Sequence, residues 1–351
     1  MTNHLSIFGT KNQPVAGPGL WDRTQISADN GWRYQLSKET LHEIAQNIDK
    51  RHGFDRQLRD VDPSVFPLPS FANQAKTIKE QLSKGRGIAQ LSGLNVGDYT
   101  VEELKYIFTA LASHIGVTVS QSHLGDYIGE VMDRRDPQDE RRYHNGGEFV
   151  MHRDPTADVT ALLSIRKALS GGMSRIMSAA ALHNHLLQHY PDLMETIYQG
   201  FYYRRTTPDR GNTALYTDHP IPTFYFYDDG EFMAHFIPYF SEDYLERDKI
   251  PDNHILRHAL AAIKQTIWNT PELYLEYLME PGDIQFVNNR TTLHSRTNYQ
   301  DAQDINQARL LLRVWMQLPG LKKVPDQMQY FLNRDRADGG IAKASEQKSE
   351  S

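Results

Sequence analysis

The sequence contains no cysteine among its 351 residues. Disulfide bonds, thiolate metal ligands and a cysteine nucleophile are therefore excluded. The absence fits a reducing compartment, and we expect the protein in the cytoplasm. No run of about 18 apolar residues is present, so a membrane span is not expected. The N-terminus also lacks the basic and apolar regions of a secretory signal.

The chain has no excess of positive charge either. Its formal net charge is −6, so neither nucleic acid nor an anionic membrane surface is an expected partner. Phosphate-binding loops of the Walker or Rossmann type and the Gly-x-Ser-x-Gly elbow are absent. Hydrophobic residues make up 39% and charged residues 23%, which is ordinary for a globular protein. We expect a small-molecule partner, and a homo-oligomer is compatible with the sequence.

The first third of the chain is predicted to be mainly helical. Residues 1–30 are polar and rich in glycine and proline, which predicts an extended arm. Apolar periodicity predicts one helix from Ser37 and another from Ser70 to Gly85. Thr100 and Glu103 have the spacing of a capping box at the start of a third helix.

From about residue 115, short apolar runs alternate with turn residues. Helices are predicted at 178–190 and 255–268, and strands at 159–165, 200–204, 224–227, 284–288 and 310–317. Many short strands with inserted helices predict a mainly β fold with helical additions, built on a jelly-roll (double-stranded β-helix) core. We expect this single domain to span 31–336, followed by a disordered polar tail at 337–351.

The most informative feature of the sequence is a pair of residues with a distant third. His152 and Asp154 stand two positions apart, and His294 lies far downstream. Alternate side chains of a strand project to the same face, and at a strand end they can converge on one ion. Two imidazoles and one carboxylate can occupy one face of a ferrous ion, which leaves the other face open. An isolated His-x-Asp triplet is more often a surface turn, so the order of the neighbouring motifs carries the prediction.

Two arginines belong to the last predicted strand region. Arg309 could hold the far carboxylate of a bound oxo-acid, because a guanidinium offers two parallel donors. Arg313 lies four residues further on and shares its face in a strand. It could therefore reach a substrate, although a structural ion pair is an equal alternative.

These ordered motifs resemble the taurine dioxygenase-like superfamily of iron(II)- and 2-oxoglutarate-dependent oxygenases. The matching segments are 142–154, 162–178, 281–289, 293–297 and 309–315. The resemblance implies that His152, Asp154 and His294 hold Fe(II) and are the catalytic residues. It also implies that Arg309 and Ser174 bind 2-oxoglutarate as co-substrate. Metal ligands need hydrogen bonds to stay oriented, and Asn288 or Asn289 could supply them. The expected reaction consumes O2, releases succinate and CO2, and hydroxylates, desaturates or cyclises a small polar molecule.

Three alternatives stay open from the sequence. A catalytically inactive metal-binding jelly roll would have no need of Arg309 and Ser174. A halogenating relative would use His144 and a chloride in place of the carboxylate, but the family pattern places His144 upstream of the ligand triplet. A zinc hydrolase would need a general base and no oxo-acid site.

Overall fold

The computed structural model describes residues 6–50, 57–122, 124–136, 146–205, 214–328 and 340–341. The helices are α1 (Arg23–Ala28), α2 (Lys38–Asp49), α3 (Ala72–Lys84), α4 (Val101–Ile115), α5 (Ala179–His189), α6 (Met194–Gln199), α7 (Pro238–Arg247) and α8 (Ile255–Asn269). Short 3-10 helices are found at Leu58–Asp60, Pro69–Phe71, Val96–Asp98, Pro191–Leu193, Pro271–Leu273 and Asp326–Met328. The strands are β1 (Arg33–Gln35), β2 (Ile88–Ser92), β3 (Val117–Val119), β4 (Gly129–Val131), β5 (Phe149–His152), β6 (Val159–Arg166), β7 (Ser170–Gly171), β8 (Ser174–Ser178), β9 (Phe224–Phe226), β10 (Phe232–Ala234), β11 (Tyr274–Tyr277), β12 (Ile284–Asn288), β13 (Thr292–Arg296), β14 (Tyr299–Gln300) and β15 (Leu310–Gln317).

A seven-stranded sheet forms one wall of the core. Its order is β1-β2-β12-β6-β15-β3, with β4 also paired to β15. β1 and β2 run parallel, and the other pairs are antiparallel. Apolar side chains of β6, β12 and β15 pack with α2, α3 and α4 in one cluster. The helical first third therefore covers this sheet on one face.

A four-stranded sheet, in the order β11-β8-β13-β5, forms the second wall. Along the chain, β5, β8, β11 and β13 of this sheet interleave with β6, β12 and β15 of the larger one. Such crossing between two sheets is the topology of a jelly roll. The predicted mainly β fold with helical additions is therefore confirmed, and both sheets contribute to the space between them.

Local sequence determines the predicted helix starts. Ser37 accepts a hydrogen bond from the backbone of Thr40 at the start of α2. Thr100 and Glu103 form the expected capping box of α4. These side chains satisfy backbone N–H groups that have no partner within the helix.

The expected extended arm at 1–30 is wrong for part of its length. Asp22 and Gln25 form a capping box that starts α1. This capping box was not recognised from the sequence, because the residues before it are rich in glycine and proline. Ile7, Val15 and Trp21 are buried, so the described part of the arm belongs to the core.

The strand predicted at 200–204 is also wrong, since only isolated bridges form there, between Phe201 and Ile221 and between Arg204 and Tyr216. Pro220 and Pro222 flank Ile221, and a proline offers no N–H to extend a ladder. Sequence periodicity also missed α7, which begins at Pro238, a residue suited to the first position of a helix.

Two residues of the segment expected to be a disordered tail are buried. Ile341 packs with Val119, Ala157 and Trp315, and its N–H donates to the carbonyl of Ser120 at 2.9 Å. Apart from Gly340 and Ile341, the tail lies outside the described residues, so for them disorder stays a prediction. Within the described residues, no helix combines the length and the apolar character needed to cross a membrane.

A buried ion pair lies where β6 begins and where β12 and β15 end. Arg290, between β12 and β13, donates to Asp158 Oδ1 through Nε at 2.8 Å and through Nη2 at 2.6 Å. The other carboxylate oxygen accepts from Leu318 N at 3.0 Å, just beyond β15. Both charged side chains are 7% exposed.

We expect Arg290→Ala to lower the free energy of unfolding by about 3–5 kcal/mol, because it leaves a buried carboxylate without its cation. Urea denaturation measures the change. The control is Arg59→Ala, since the exposed Arg59–Asp60 pair should contribute less than about 1 kcal/mol. Equal effects of the two substitutions would contradict this assignment.

Candidate metal centre and co-substrate pocket

Pairing between β5 and β13 brings the two predicted histidines together. His294 lies directly opposite His152 in the ladder, and their ring centroids are 4.4 Å apart. Asp154 follows β5, and its Oδ2 is 3.9 Å from His294 Nε2. One ligand atom from each residue can be chosen so that all lie within 4.8 Å of one another, and all three residues are buried.

The electrostatic environment keeps these groups in their metal-binding forms. Burial, reinforced by the neighbouring His152, lowers the pKa of His294 to about 3. Burial also lowers the pKa of His152. Burial alone would raise the pKa of Asp154, but Arg313, the two histidines and Thr160 outweigh it and lower that pKa to about 2. Neutral imidazoles and an ionised carboxylate are the states that ligate a divalent metal.

Hydrogen bonding leaves suitable donor atoms on the rings. His152 Nδ1 donates to the carbonyl of Val150 at 2.7 Å, which keeps a lone pair on Nε2. His294 Nδ1 is buried without a hydrogen-bond partner among the described residues, while Nε2 faces Asp154. A carboxylate and two neutral imidazoles so arranged fit a ferrous ion with an open face.

A ring of hydrogen bonds fixes the Asp154 carboxylate. Its Oδ2 accepts from Trp315 Nε1 at 3.0 Å and from Thr160 Oγ1 at 2.5 Å. Asn289 accepts from the backbone N–H of Asp154 at 3.2 Å and donates to Thr160 Oγ1 at 3.0 Å. The carboxylate, which follows β5, is thereby tied to β6, β15 and the end of β12.

Of the two asparagines considered from the sequence, Asn289 is therefore the one that orients the acidic residue. Asn288 instead donates to the carbonyl of Leu82 at 2.8 Å. Thr160 and Trp315 were missed. The available signals were a hydroxyl inside an apolar strand and a tryptophan two residues after Arg313.

A cavity that is partly open to solvent adjoins the two histidines, and its empty space, open solvent included, is about 750 Å³. Residues from both sheets line it, and its basic lining residues are Arg166, Lys167, Arg296, Arg309 and Arg313. No aspartate or glutamate belongs to the lining in the described part of the chain. Such a cavity favours anionic ligands.

Arg309 is a buried cation without a full set of partners. Its guanidinium lies over the ring of Tyr299, 5.1 Å from the centroid, and its Nη1 has no hydrogen-bond partner among the described residues. Burial, with a contribution from nearby Arg296, lowers the pKa of Arg309 to about 10, so the group stays charged at neutral pH. A buried cation with an unused donor fits the carboxylate of an oxo-acid.

The Gly171–Gly172 turn gives Arg309 its room. Gly172 has a φ of +69°, and a Cβ there would lie 3.2 Å from Arg309 Nε. Ser174 follows this turn, lines the same cavity and pairs across the ladder with Arg296. Its hydroxyl donates to Gln285 Oε1 at 2.5 Å.

Arg313 lines the cavity and also contacts the metal centre. Its Nη1 is 3.5 Å from Asp154 Oδ1, and its Nε donates to Gln121 Oε1 at 2.8 Å. The geometry therefore supports both sequence alternatives, a substrate contact and a structural ion pair. His144, the ligand of the halogenating alternative, lies outside the described residues.

Comparison with known proteins gives a family match. The model of the family described as taurine catabolism dioxygenase TauD, TfdA matches residues 54–315. The chain belongs to this family. The predictions of superfamily and enzyme class are therefore confirmed: the protein is an Fe(II)- and 2-oxoglutarate-dependent dioxygenase.

Two curated relatives of this TauD, TfdA family member match most of its length. FR-33289 synthase of Streptomyces rubellomurinus is 27% identical over 322 residues, which cover 89% of this chain and 93% of the relative. The taurine hydroxylase-like protein SAT17 of Stachybotrys chartarum is 25% identical over 354 residues, with coverages of 95% and 88%.

Two solved structures share the fold. An asparagine oxygenase in complex with Fe(II), 2S,3S-3-hydroxyasparagine and succinate superposes with a TM-score of 0.63 at 14% identity, covering 81% of this chain and 93% of that one. The non-heme iron oxygenase OrfP, in complex with Fe and alpha-ketoglutaric acid, gives 0.59 at 15% identity, with coverages of 81% and 94%.

We expect Trp315→Phe to weaken Fe(II) binding roughly 10- to 100-fold, because it removes one hydrogen bond that orients Asp154. Anaerobic Fe(II) titration measures the affinity. Trp268→Phe is the matched control, since Trp268 is 69% exposed. An unchanged Fe(II) affinity in Trp315→Phe would show that this bond does not orient the carboxylate.

Proposed function

We propose that His152, Asp154 and His294 hold the ferrous ion of this enzyme, and that Arg309 and Ser174 bind the distal carboxylate of 2-oxoglutarate. The substrate is a small polar molecule, which is hydroxylated. The observation that carries the proposal is the position of the buried His-Asp-His cluster beside a cavity whose lining includes the buried Arg309.

Each residue has a separable task in this mechanism. Bound iron supplies the activation of dioxygen, coupled to decarboxylation of the oxo-acid to succinate and CO2. The neutral imidazoles and the ionised carboxylate would hold the metal. Trp315 and Thr160 keep the Asp154 carboxylate from turning. Arg309 orients the co-substrate by its far end, where the paired donors of a guanidinium match a carboxylate.

The cavity lining suggests an anionic or zwitterionic substrate. Arg309 accounts for the charge of one distal carboxylate, and four further basic lining residues remain, namely Arg166, Lys167, Arg296 and Arg313. A carboxylate, a sulfonate or an amino acid suits this charge. The solved relatives carry 3-hydroxyasparagine and (3S)-hydroxy-L-Arg, which supports hydroxylation of an amino acid. A reducing cytoplasm, in which ferrous iron persists, is the compartment we propose.

We expect His152→Ala and Asp154→Ala to abolish 2-oxoglutarate turnover, both with substrate and in the uncoupled reaction, because either change removes a metal ligand. Succinate release, screened against amino acids and small acids, measures turnover. Circular dichroism should show a retained fold. His189→Ala, an exposed histidine of α5, is the control. Full turnover in either ligand variant would refute the metal assignment.

Arg309 and Arg313 should separate co-substrate binding from substrate binding. We expect Arg309→Ala to raise the Kd for 2-oxoglutarate by about 10- to 100-fold, the effect of losing hydrogen bonds to a charged group. Arg313→Ala should instead raise the KM for the substrate and leave the Kd for 2-oxoglutarate within about threefold.

Calorimetry and steady-state kinetics on the same preparations measure both quantities. An unchanged 2-oxoglutarate Kd in Arg309→Ala would remove that assignment. If Arg313→Ala lowered only the affinity for Fe(II), the contact with Asp154 would be its whole role.

A further inference from the structure

A polar side chain of β12 has no place in the mechanism above. Gln285 is 1% exposed in a strand whose neighbouring residues, Ile284 and Phe286, belong to the apolar core. Alternate residues of a strand point to opposite faces, and Gln285 lines the cavity that holds Arg309 and Ser174. An amide in such a position is costly unless its polar atoms are satisfied.

The partners of Gln285 satisfy only its oxygen. Ser174 Oγ donates to Gln285 Oε1 at 2.5 Å, and Tyr277 Oη donates to the same oxygen at 2.8 Å. Gln285 Nε2 is buried and has no hydrogen-bond partner among the described residues. Burial raises the pKa of Tyr277 far above its usual range, so this hydroxyl keeps its proton.

Gln285, Ser174 and Tyr277 together have four donor hydrogens, and only two of these form hydrogen bonds within the group. With the oxygen accepting from both hydroxyls, the two hydrogens of the amide nitrogen stay unused. If the amide turned over, Nε2 would donate to both hydroxyl oxygens, and the hydroxyl hydrogens would be left over instead. In both orientations two donor hydrogens have no acceptor within the group, and such donors can serve a bound anion.

We propose that Gln285 is a specificity-determining residue for the distal carboxylate of the co-substrate. In one orientation the carboxamide Nε2 donates to that carboxylate directly. In the other orientation Nε2 donates to Ser174 Oγ, and the Ser174 hydroxyl is then free to donate to the carboxylate. Arg309 supplies charge, whereas Gln285 supplies the unused neutral donors. This inference rests on the proposed function, since it assumes that 2-oxoglutarate occupies this cavity.

The test compares two ligands that differ only at the far end. 2-Oxopentanoate carries a methyl group where 2-oxoglutarate carries its distal carboxylate. Calorimetry on anaerobic Fe(II) protein gives the Kd of each, and the ratio of the two Kd values reports the preference for the carboxylate. This readout needs no turnover, and a general disturbance of the cavity would affect both ligands alike.

In Gln285→Leu we expect this preference to fall by at least about tenfold, the effect of losing a hydrogen bond to a charged group. Gln285→Glu should lower it further, because a carboxylate there repels the ligand and competes for Arg309. If the leucine variant does not fold, the nearly isosteric glutamate variant supplies the result. Gln74→Leu is the control, since this half-buried glutamine of α3 bonds the carbonyl of Gln35 and is not among the lining residues of the cavity, and its preference should equal that of the wild type.

An unchanged preference in the Gln285 variants would overturn the inference. If the wild-type protein itself bound no 2-oxoglutarate, the proposed function would fail, and with it the inference. Binding by the wild type with equal preference in the variants would leave the proposed function intact and remove the role of Gln285 alone.

Discussion

The structure of the site depends on one buried carboxylate. Asp154 is 5% exposed, and a buried charge of this kind is stable only with hydrogen bonds and opposite charge around it. Trp315, Thr160 and Arg313 provide both. These partners come from β6 and β15 of the larger sheet, while Asp154 follows β5 of the smaller one. The hydrogen bonds and the ion pair of the carboxylate therefore also connect the two sheets.

The cavity beside this carboxylate contains the opposite case, hydrogen-bond donors without acceptors among the described residues. Arg309 is a buried cation with an unused donor, and Gln285, which belongs to the same lining, has an unused amide nitrogen. Buried polar groups in folded proteins are normally paired. Unused donors on the lining of an open cavity therefore mark the places where a ligand supplies the missing acceptors, and a dicarboxylate oxo-acid has acceptors at both ends.

Sequence patterns predicted the parts of this account that depend on local chemistry. Caps such as Ser37 and Thr100 and apolar strands such as Ile284–Asn288 could be predicted because neighbouring residues decide them. The metal ligands could be proposed because His152, Asp154, His294 and Arg309 follow one another in the order that the resemblance to a known family implies. Whether they meet depends on the pairing of β5 with β13, which only the folded chain reveals.

Other features lie beyond a single sequence for a physical reason. Thr160 and Trp315 look like ordinary strand residues until a distant carboxylate is placed against them. Gln285 looks like an isolated polar residue until Ser174 of β8 and Tyr277 of β11 approach it. The burial of Ile341 likewise depends on contacts with Val119 and Trp315. These contacts cannot be read from the polar composition of the tail, which by itself predicts disorder.

The central claim is that His152, Asp154 and His294 hold one ferrous ion and leave part of its coordination open to a chelating oxo-acid. Visible absorption of the anaerobic protein with Fe(II) and 2-oxoglutarate tests it most directly, since the chelate has a weak charge-transfer band. The account predicts that band in the wild-type protein and its loss in His294→Ala. A wild-type protein without the band, or a His294→Ala variant that retains it in full, would contradict the claim.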